Sequence, residues 1–332
     1  MAIPIVSVVK SKRCTACAGC AAFCPTTAIT VTDAAKIGGD CIACEVCGEV
    51  CPVLHPYPTE NEFDNIKEMF IARSGLVGQD GATVSGIAKN LLEIGAIDAV
   101  IGVERDADWR ASPVVITTPA EVIKMSGTKY SSVPVLSVLR ETSRKYKKIM
   151  VVGVPCQAHA ANLLRRKLGR YEKRIALIVG IFCMESFTYD TICNEIIAKK
   201  LGLSCREITK MNITKGKFWA YAAPDVVKSV SLKEVKPLAR TPCHSCLDFT
   251  AYYADISCGS VGSPEGWNTV FIRTDRGKQM FDLIRDKFEI KPEVKLDVVK
   301  KLTTLKHTEN APKPAAAAPA TVAAKTETAK SG

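Results

Sequence analysis

Nothing in this sequence of 332 residues stays apolar for long. The longest uninterrupted run lies near Ala176 to Met184, far short of the roughly 20 residues that a membrane-spanning helix needs. No leader for export is expected either, because the N-terminus reaches Lys10, Lys12 and Cys14 without a long apolar segment. The expectation is therefore a cytoplasmic chain that meets a membrane only through a partner or a peripheral surface. Lys and Arg number 45 against 34 Asp and Glu, a formal charge of +11, but no basic run is interleaved with aromatics. Nucleic-acid binding is not expected. A modest positive field around a site for an acidic ligand accounts for the excess, as does a solvated basic surface.

Cysteine, by contrast, is abundant. Fifteen in a chain without an export signal argue for metal ligation over disulfides, since cytosolic thiols are kept reduced. Eight fall in two runs, Cys14, Cys17, Cys20, Cys24-Pro25 and Cys41, Cys44, Cys47, Cys51-Pro52, each of the form C-x2-C-x2-C-x3-C-P. In this bacterial-ferredoxin spacing three cysteines of one run and the distant fourth of the other close each [4Fe-4S] cluster. Cys14, Cys17, Cys20 and Cys51 are the expected ligands of one cluster, and Cys41, Cys44, Cys47 and Cys24 of the other. A pair of zinc knuckles is the competing reading. Zinc needs only four ligands per site, and a proline-terminated duplication of eight cysteines has no reason to arise for it.

The patterning implies an α+β ferredoxin-like N-terminal module joined to a larger α/β domain. The module covers residues 1–57, with an internal repeat offset by 27 residues and short β segments such as Ala28 to Val31. A Pro-containing linker is expected over 58–64 and the larger domain over 65–307. There, strands at Lys67–Ala72, Ala96–Val103, Lys148–Val154 and Ile175–Phe182 alternate with helices at Ala82–Ile94, Val133–Tyr146, Ala158–Leu168 and Tyr189–Leu201. Such alternation predicts a largely parallel sheet. Residues 308–332 are Ala, Pro, Lys and Thr with almost no large apolar side chains, and are expected to be disordered.

Seven cysteines lie beyond the repeat. Cys156 and Cys183 end two consecutive predicted strands, where ligands collect in parallel α/β sheets, and Cys243-His244-Ser245-Cys246 adds a C-x-x-C pair. Together they form a four-sulfur set for a third cluster. At this level strand-end cysteines also read as small buried hydrophobes, and the pair as a redox disulfide or half a zinc site. Cys193, Cys205 and Cys258 have no partner at ligand spacing and read as ordinary thiols. Three clusters of about 2− each would bring the formal charge from +11 to about +5.

Five segments, Gly127-Thr128-Lys129-Tyr130, Val154-Pro155-Cys156-Gln157, Gly180 to Glu185, Lys215 to Trp219 and Gly259 to Trp267, resemble in order the family of the coenzyme F420-reducing hydrogenase β subunit. The resemblance covers residues 65 to about 290. An N-terminal pair of ferredoxin motifs fused to this domain is most similar to the input subunit of archaeal dehydrogenases that oxidise reduced coenzyme F420. The family binds FAD and one [4Fe-4S] cluster, which places the third cluster on Cys156, Cys183, Cys243 and Cys246. The resemblance implies an oxidoreductase of archaeal, methanogenesis-type metabolism. Coenzyme F420 is its substrate, hydride passes between F420 and FAD, and single electrons pass through clusters to protein subunits of a larger redox complex. Two alternatives are a ferredoxin- or formate-linked F420 reductase subunit and a non-catalytic iron–sulfur relay.

The hard chemistry in such a protein belongs to the cofactors, so no nucleophile or triad is expected. The candidate flavin contacts are Gly81 and Thr83 before a helix, Gly127, Thr128, Lys129 and Tyr130, Lys215, Lys217 and Phe218, and Gly259, Ser260, Val261, Gly262, Ser263 and Trp267. Lysines 129, 215 and 217 suit FAD phosphates or the acidic tail of the deazaflavin. Trp219 and Trp267 suit a flavin wall or the core. Where the family often has Gly-Gly, this chain has Gly81-Ala82, and the added methyl can crowd a close backbone approach.

Overall fold

The computed structural model describes residues 3–57 and 61–311. The N-terminal part begins with α1 (Pro4–Lys10) and α2 (Gly19–Phe23). An antiparallel hairpin, β1 (Ile29–Val31) and β2 (Ala35–Ile37), leads to the single turn α3 (Val46–Glu49). Ile5, Ala28, Ile29 and Ala35 pack with Cys20, Cys24 and Cys47 into a small core. With so few large apolar side chains, little holds this part together by itself.

The rest is built on one eight-stranded sheet. Its first half runs β3 (Glu68–Arg73), α4 (Thr83–Glu93), β4 (Ala99–Arg105), β5 (Ala111–Ile116), α5 (Leu139–Lys145), β6 (Ile149–Gly153), α6 (Pro155–Lys167), α7 (Gly169–Glu172) and β7 (Ile175–Ile181). A separate antiparallel meander, β8 (Ile208–Thr214), β9 (Lys217–Ala222) and β10 (Val226–Ser231), ends in the short α8 (Leu232–Val235). The chain then adds β11 (Ile256–Gly259), β12 (Asn268–Ile272), α9 (Asp275–Asp282), β13 (Glu289–Lys291) and α10 (Leu296–Asn310). Strand order in the large sheet is β13-β3-β12-β11-β7-β6-β4-β5.

Only the centre of that sheet, β11-β7-β6-β4, is parallel, and the other four strands pair antiparallel, which corrects the expected largely parallel sheet. The reason is connection length. A parallel partner needs a crossover of a dozen or more residues, and the links from β4 to β5 and from β11 to β12 are too short to supply one. Alternate residues of the central strands feed two cores: Ile101, Ile149, Val151 and Ile178 face α5 and α6, while Val100, Met150, Val152 and Leu177 face α4 and α9. Strands buried on both sides read as continuous apolar runs, and this made them visible in the sequence.

Several boundaries move. The expected helix Val133–Tyr146 is a 3-10 turn, Val135–Val138, followed by α5. Helix α6 begins at Pro155, whose missing amide suits a first turn, and so takes in Cys156. The helix expected from Tyr189 spans Thr191–Lys200. Residues 61–64 are not a free linker. Glu62 is buried, and its carboxylate accepts from the amides of Phe249 and Thr250 and from the Thr303 hydroxyl. Nor does the folded chain stop at 307, since α10 continues through Asn310, whose side chain donates to the carbonyls of Cys243 and Cys246 (2.9 and 2.8 Å). The remainder of the expected tail, 312–332, lies outside the described residues, as do 58–60. Cys193 and Cys205, expected as ordinary thiols, are joined in a disulfide. The chain turns back after Lys200 and brings their Cα atoms within 5.6 Å, a closeness that ligand spacing does not reveal.

The N-terminal part is also less separate than expected. Cys17, Ala18, Ala22 and Val50 belong to the same core as Val133, Leu136, Ala160 and Leu164 of the body. The amide of Leu136 donates to the Cys17 carbonyl, and the buried Tyr171 hydroxyl donates to that of Ala22 (3.1 and 2.6 Å).

Candidate functional site

The 27-residue repeat of the sequence is present in the backbone. Ala16 and Ala43 have φ of 56° and 51°, and Ala18 and Glu45 have φ of 65° and 62°, so both runs turn left-handed at the same two places. Such φ values are uncommon outside glycine and gather where a site imposes them. Backbone donors stand near the sulfurs. The Ala35 amide lies 3.4 Å from Cys14 Sγ, and backbone N–H groups at Gly19 and at Val53 and Leu54 serve Cys17 and Cys51.

Cys14, Cys17, Cys20 and Cys51 line one pocket, walled by Ile5, Val8, Val31 and Ala35. Burial foremost, then the neighbouring thiols, raises Cys20, and burial raises Cys17 to about 12. Cys41, Cys44 and Cys47 form the other group, with Cys44 at the surface, and Cys24 joins Cys41 and Cys47 in the module core. Burial opposes ionisation of Cys24, yet hydrogen bonds from Thr26, Ala28 and Ile29 bring its thiol below the usual range. Among the described residues no three His, Cys, Asp or Glu converge on one ion. Sulfurs spread around an apolar pocket and fed by amide donors fit a larger thiolate-held cluster.

The strand-end reading of Cys156 and Cys183 places them correctly. Both follow the carboxyl ends of adjacent parallel strands, β6 and β7. Burial raises Cys156, Cys183 and Cys246, and the remaining causes include each other and Cys243, so these four form one neighbourhood. The Ser186 amide points at Cys243 Sγ (3.4 Å). Cys156 also feels Cys17 of the N-terminal pocket, which puts the two groups side by side. Arg240 ties them: its guanidinium donates to the carbonyls of Thr15, Cys14 and Asp33 (3.0, 3.2 and 2.6 Å). Lys306 of α10 stands within the third group, 1% exposed, and donates to the carbonyls of Cys183 and Asp248 (2.6 and 2.8 Å). Burial opposes its charge, but Cys246 and Cys183 hold its pKa above the usual lysine range. Cys258 is a buried thiol, as expected.

A cleft of about 210 Å³ opens at the same edge of the sheet. Arg105 comes from the carboxyl end of β4, Gly78 and Gln79 follow β3, Thr209, Lys210 and Met211 come from β8, and Gly127, Thr128 and Lys129 form one wall. Gly127 has φ of 77°, which a side chain would strain, and the Thr128 amide donates to Gln79 Oε1 (2.9 Å). Lys129 does not offer its ammonium to the cleft. Its Nζ donates to the carbonyls of Met125 and Ser126, and burial followed by Arg105 lowers its pKa to about 7. Arg105 and Lys210 are the cations that line the cleft, and the sequence reading missed both. The strand-end rule that found Cys156 pointed equally to Arg105, whereas nothing local marked Lys210. Tyr130 links cleft and thiols: its hydroxyl accepts from the Ile213 amide, its carbonyl accepts from Phe187, and its ring senses Asp80 and Cys183.

Other expected contacts lie elsewhere. The buried Thr83 hydroxyl donates to the Ala72 carbonyl and its amide to Asn268 Oδ1, so neither is free for a phosphate. Gly81 is needed because a Cβ there would strike Ala72 and Asn268, and Ala82, φ 48°, is buried beside it. Lys215 and Gly216 form an exposed turn between β8 and β9, and Lys217, also exposed, opens β9. Phe218 is wholly buried in the core of the small sheet, and Trp219 lies beside Lys217. Gly259 gives room to Phe182, Val261 and Gly262 pack by α10, and the Ser263 hydroxyl bonds within its own loop, where Ser260 is exposed. Trp267 sits between Arg73 and Lys291, away from the cleft lining.

These features define a mixed α/β chain with three gathered sets of thiols beside a cationic cleft. Residues 69–140 and 146–295 match the N-terminal and C-terminal parts of the coenzyme F420 hydrogenase/dehydrogenase β subunit, and the chain belongs to that family. It is 42% identical to an F(420)H(2) dehydrogenase subunit of Methanosarcina mazei over 92% of this chain and 93% of that one. The β subunit of the coenzyme F420 hydrogenase of Methanococcus voltae is 38% identical over 70% and 86%. Among solved structures, a chain of the F420-reducing [NiFe] hydrogenase complex from Methanosarcina barkeri has a TM-score of 0.72 at 35% identity, covering 76% of this chain and 93% of that one. No helix among the described residues is long and apolar enough to cross a membrane.

Proposed function

We propose that this chain is the input subunit of a dehydrogenase complex, accepting hydride from reduced coenzyme F420 at FAD and passing electrons singly to a partner protein. The observation that carries this reading is a shared edge. The cationic cleft, the Cys156/Cys183/Cys243/Cys246 set and the Cys14/Cys17/Cys20/Cys51 pocket follow one another there. When bound, a flavin supplies the exchange between two-electron and one-electron chemistry, and [4Fe-4S] clusters supply one-electron relays.

The protein's part is to hold and order these groups. Arg105 and Lys210 face the cleft with charge suited to phosphate, and Lys129 fixes the Met125–Gly127 backbone that forms its wall. The cleft is smaller than the 300–1,000 Å³ usual for a cofactor site, so it would take only part of a dinucleotide. The four strand-end and C-x-x-C thiols would hold the cluster nearest the flavin, and the eight N-terminal thiols the outlet. Likeness to the Methanosarcina mazei dehydrogenase subunit along nearly the whole chain supports the dehydrogenase assignment over the hydrogenase one.

Anaerobically reconstituted protein should contain flavin and three clusters, and should oxidise reduced coenzyme F420 with an artificial acceptor. Cys243→Ser should lose about one third of the iron and leave the N-terminal pair. Protein with two clusters and no flavin, or a Cys243→Ser variant that keeps all its iron, refutes the assignment.

A further inference from the structure

We propose that Lys306 sets the reduction potential of the cluster held by Cys156, Cys183, Cys243 and Cys246, acting as a buried counter-charge to its thiolates; this rests on the reading of that set as a cluster site. The helix α10 buries one stripe, Val299, Thr303 and Lys306, at the spacing of a helix face that packs on the body. A methionine or leucine at the third position would fill the space without bringing in a charge. Burying an ammonium is costly unless it finds an opposite charge.

The nearby carboxylates are turned to other partners. Asp248 presents its carboxylate to the Tyr252 amide (3.1 and 3.2 Å) and only its carbonyl to Lys306. Glu62 is taken up by the amides of Phe249 and Thr250 and by the Thr303 hydroxyl. Arg273, the other buried cation nearby, donates to the Glu62 carbonyl, Asn65, Ser257 and Thr250. Glu185, near Lys306, is also near Lys236. The Lys306 ammonium is held at the backbone of Cys183 and of Asp248, two residues beyond Cys246, and the charges that favour it are Cys246 and Cys183 foremost, then Asp248 and Cys243.

A [4Fe-4S] cluster with four thiolates takes one electron and goes from about 2− to about 3−. A cation fixed beside it stabilises the reduced form more than the oxidised one, and net charge and hydrogen bonds to sulfur are what set such potentials. Among the described residues, the N-terminal pocket has no buried lysine or arginine in its lining. Arg240 and Arg140 stand at the carbonyls of Cys14 and Cys24, but Lys306 itself donates beside Cys183, so its removal acts first on the third cluster.

The test is a redox titration, followed by electron paramagnetic resonance, of full-length reconstituted protein and of Lys306→Met, with Lys306→Arg as the charge-retaining variant. Iron analysis and a third cluster signal in the unaltered protein come first, because their absence removes the cluster reading itself. With three clusters present, Lys306→Met should lower the midpoint of the third cluster. The reduced-to-oxidised ratio at fixed poise should fall tenfold or more, which is 59 mV for a one-electron couple. The N-terminal pair should be unchanged and Lys306→Arg should stay near the original value. An unmoved midpoint in Lys306→Met overturns the proposal. If that variant does not hold the third cluster, Lys306→Gln, which keeps a polar donor without the charge, takes the same measurement. Loss of the cluster in Met and Gln but not in Arg supports the counter-charge; loss in all three overturns it, because packing then explains the residue.

Discussion

His159 sits one turn beyond Cys156 on α6, with its ring stacked 3.9 Å from that of Tyr253. Burial, then the charges of His55 and Arg166, lowers its pKa from 6.5 to about 4. An unfolded chain takes up that proton as pH falls through 6.5, while the folded chain resists until about 4. Between these values the unfolded state binds more protons, so this contribution is intact above pH 6.5 and is lost as pH falls, by about 1.4 kcal/mol per unit. Urea midpoints should therefore decline from pH 6.5 to 5.5, and His159→Phe, which keeps a ring against Tyr253, should flatten that decline. Equal slopes in the two proteins would remove His159 as the cause. Such a residue shows why single side chains were hard to read from sequence: a histidine in a helical pattern carries no mark of stacked burial. Nor did Lys306 or Arg240, whose roles arise from what the fold sets against them.

At the scale of elements, the strands were legible where both faces are buried, and with them the ends that hold Cys156 and Cys183. The β8-β9-β10 meander was missed because its outer positions, such as Lys210, Lys217 and Lys228, break the apolar pattern. Lys210 of this meander lines the cleft, whereas Lys215 and Lys217, the expected contacts, are exposed at its first turn. Gly180 shows how closely the central strands are packed. A Cβ there would collide with Ala251 and come 2.9 Å from the Ala254 Cβ, in the segment between the C-x-x-C loop and β11. Gly180→Ala should destabilise the protein by about 1–3 kcal/mol, the usual cost of overpacking a core. Chemical denaturation measures this, and a variant as stable as the parent would mean that the 251–254 segment yields freely.

Over the whole molecule, cysteine spacing pointed to sets of thiols but not to how the two parts meet. Core residues Cys17, Ala18, Ala22 and Val50 look like loop filler in the N-terminal sequence, and only their packing against Val133 and Ala160 makes them part of the body. Arg240 completes that union. Its amide donates to the Ser186 carbonyl and its own carbonyl accepts from Cys243, so the residue that grips Thr15, Cys14 and Asp33 is held by the loop of the third thiol set. Hydrogen bonds from a charged donor contribute about 1.5–3 kcal/mol each, with the exposed one to Asp33 worth least. Arg240→Met should then lower stability by about 1.5–3 kcal/mol and, on the proposed function, loosen the approach of the cluster on the Cys14 set to the one on the Cys156 set. In stopped-flow oxidation of reduced coenzyme F420, flavin reduction should keep its rate, because Arg240 does not touch the cleft. The slowed step should be reduction of the N-terminal clusters, with the third cluster filling first. Arg240→Lys, keeping one donor, should fall between the two. If N-terminal reduction were unaltered in Arg240→Met, the shared core alone would fix the distance between clusters, and the guanidinium would serve only stability.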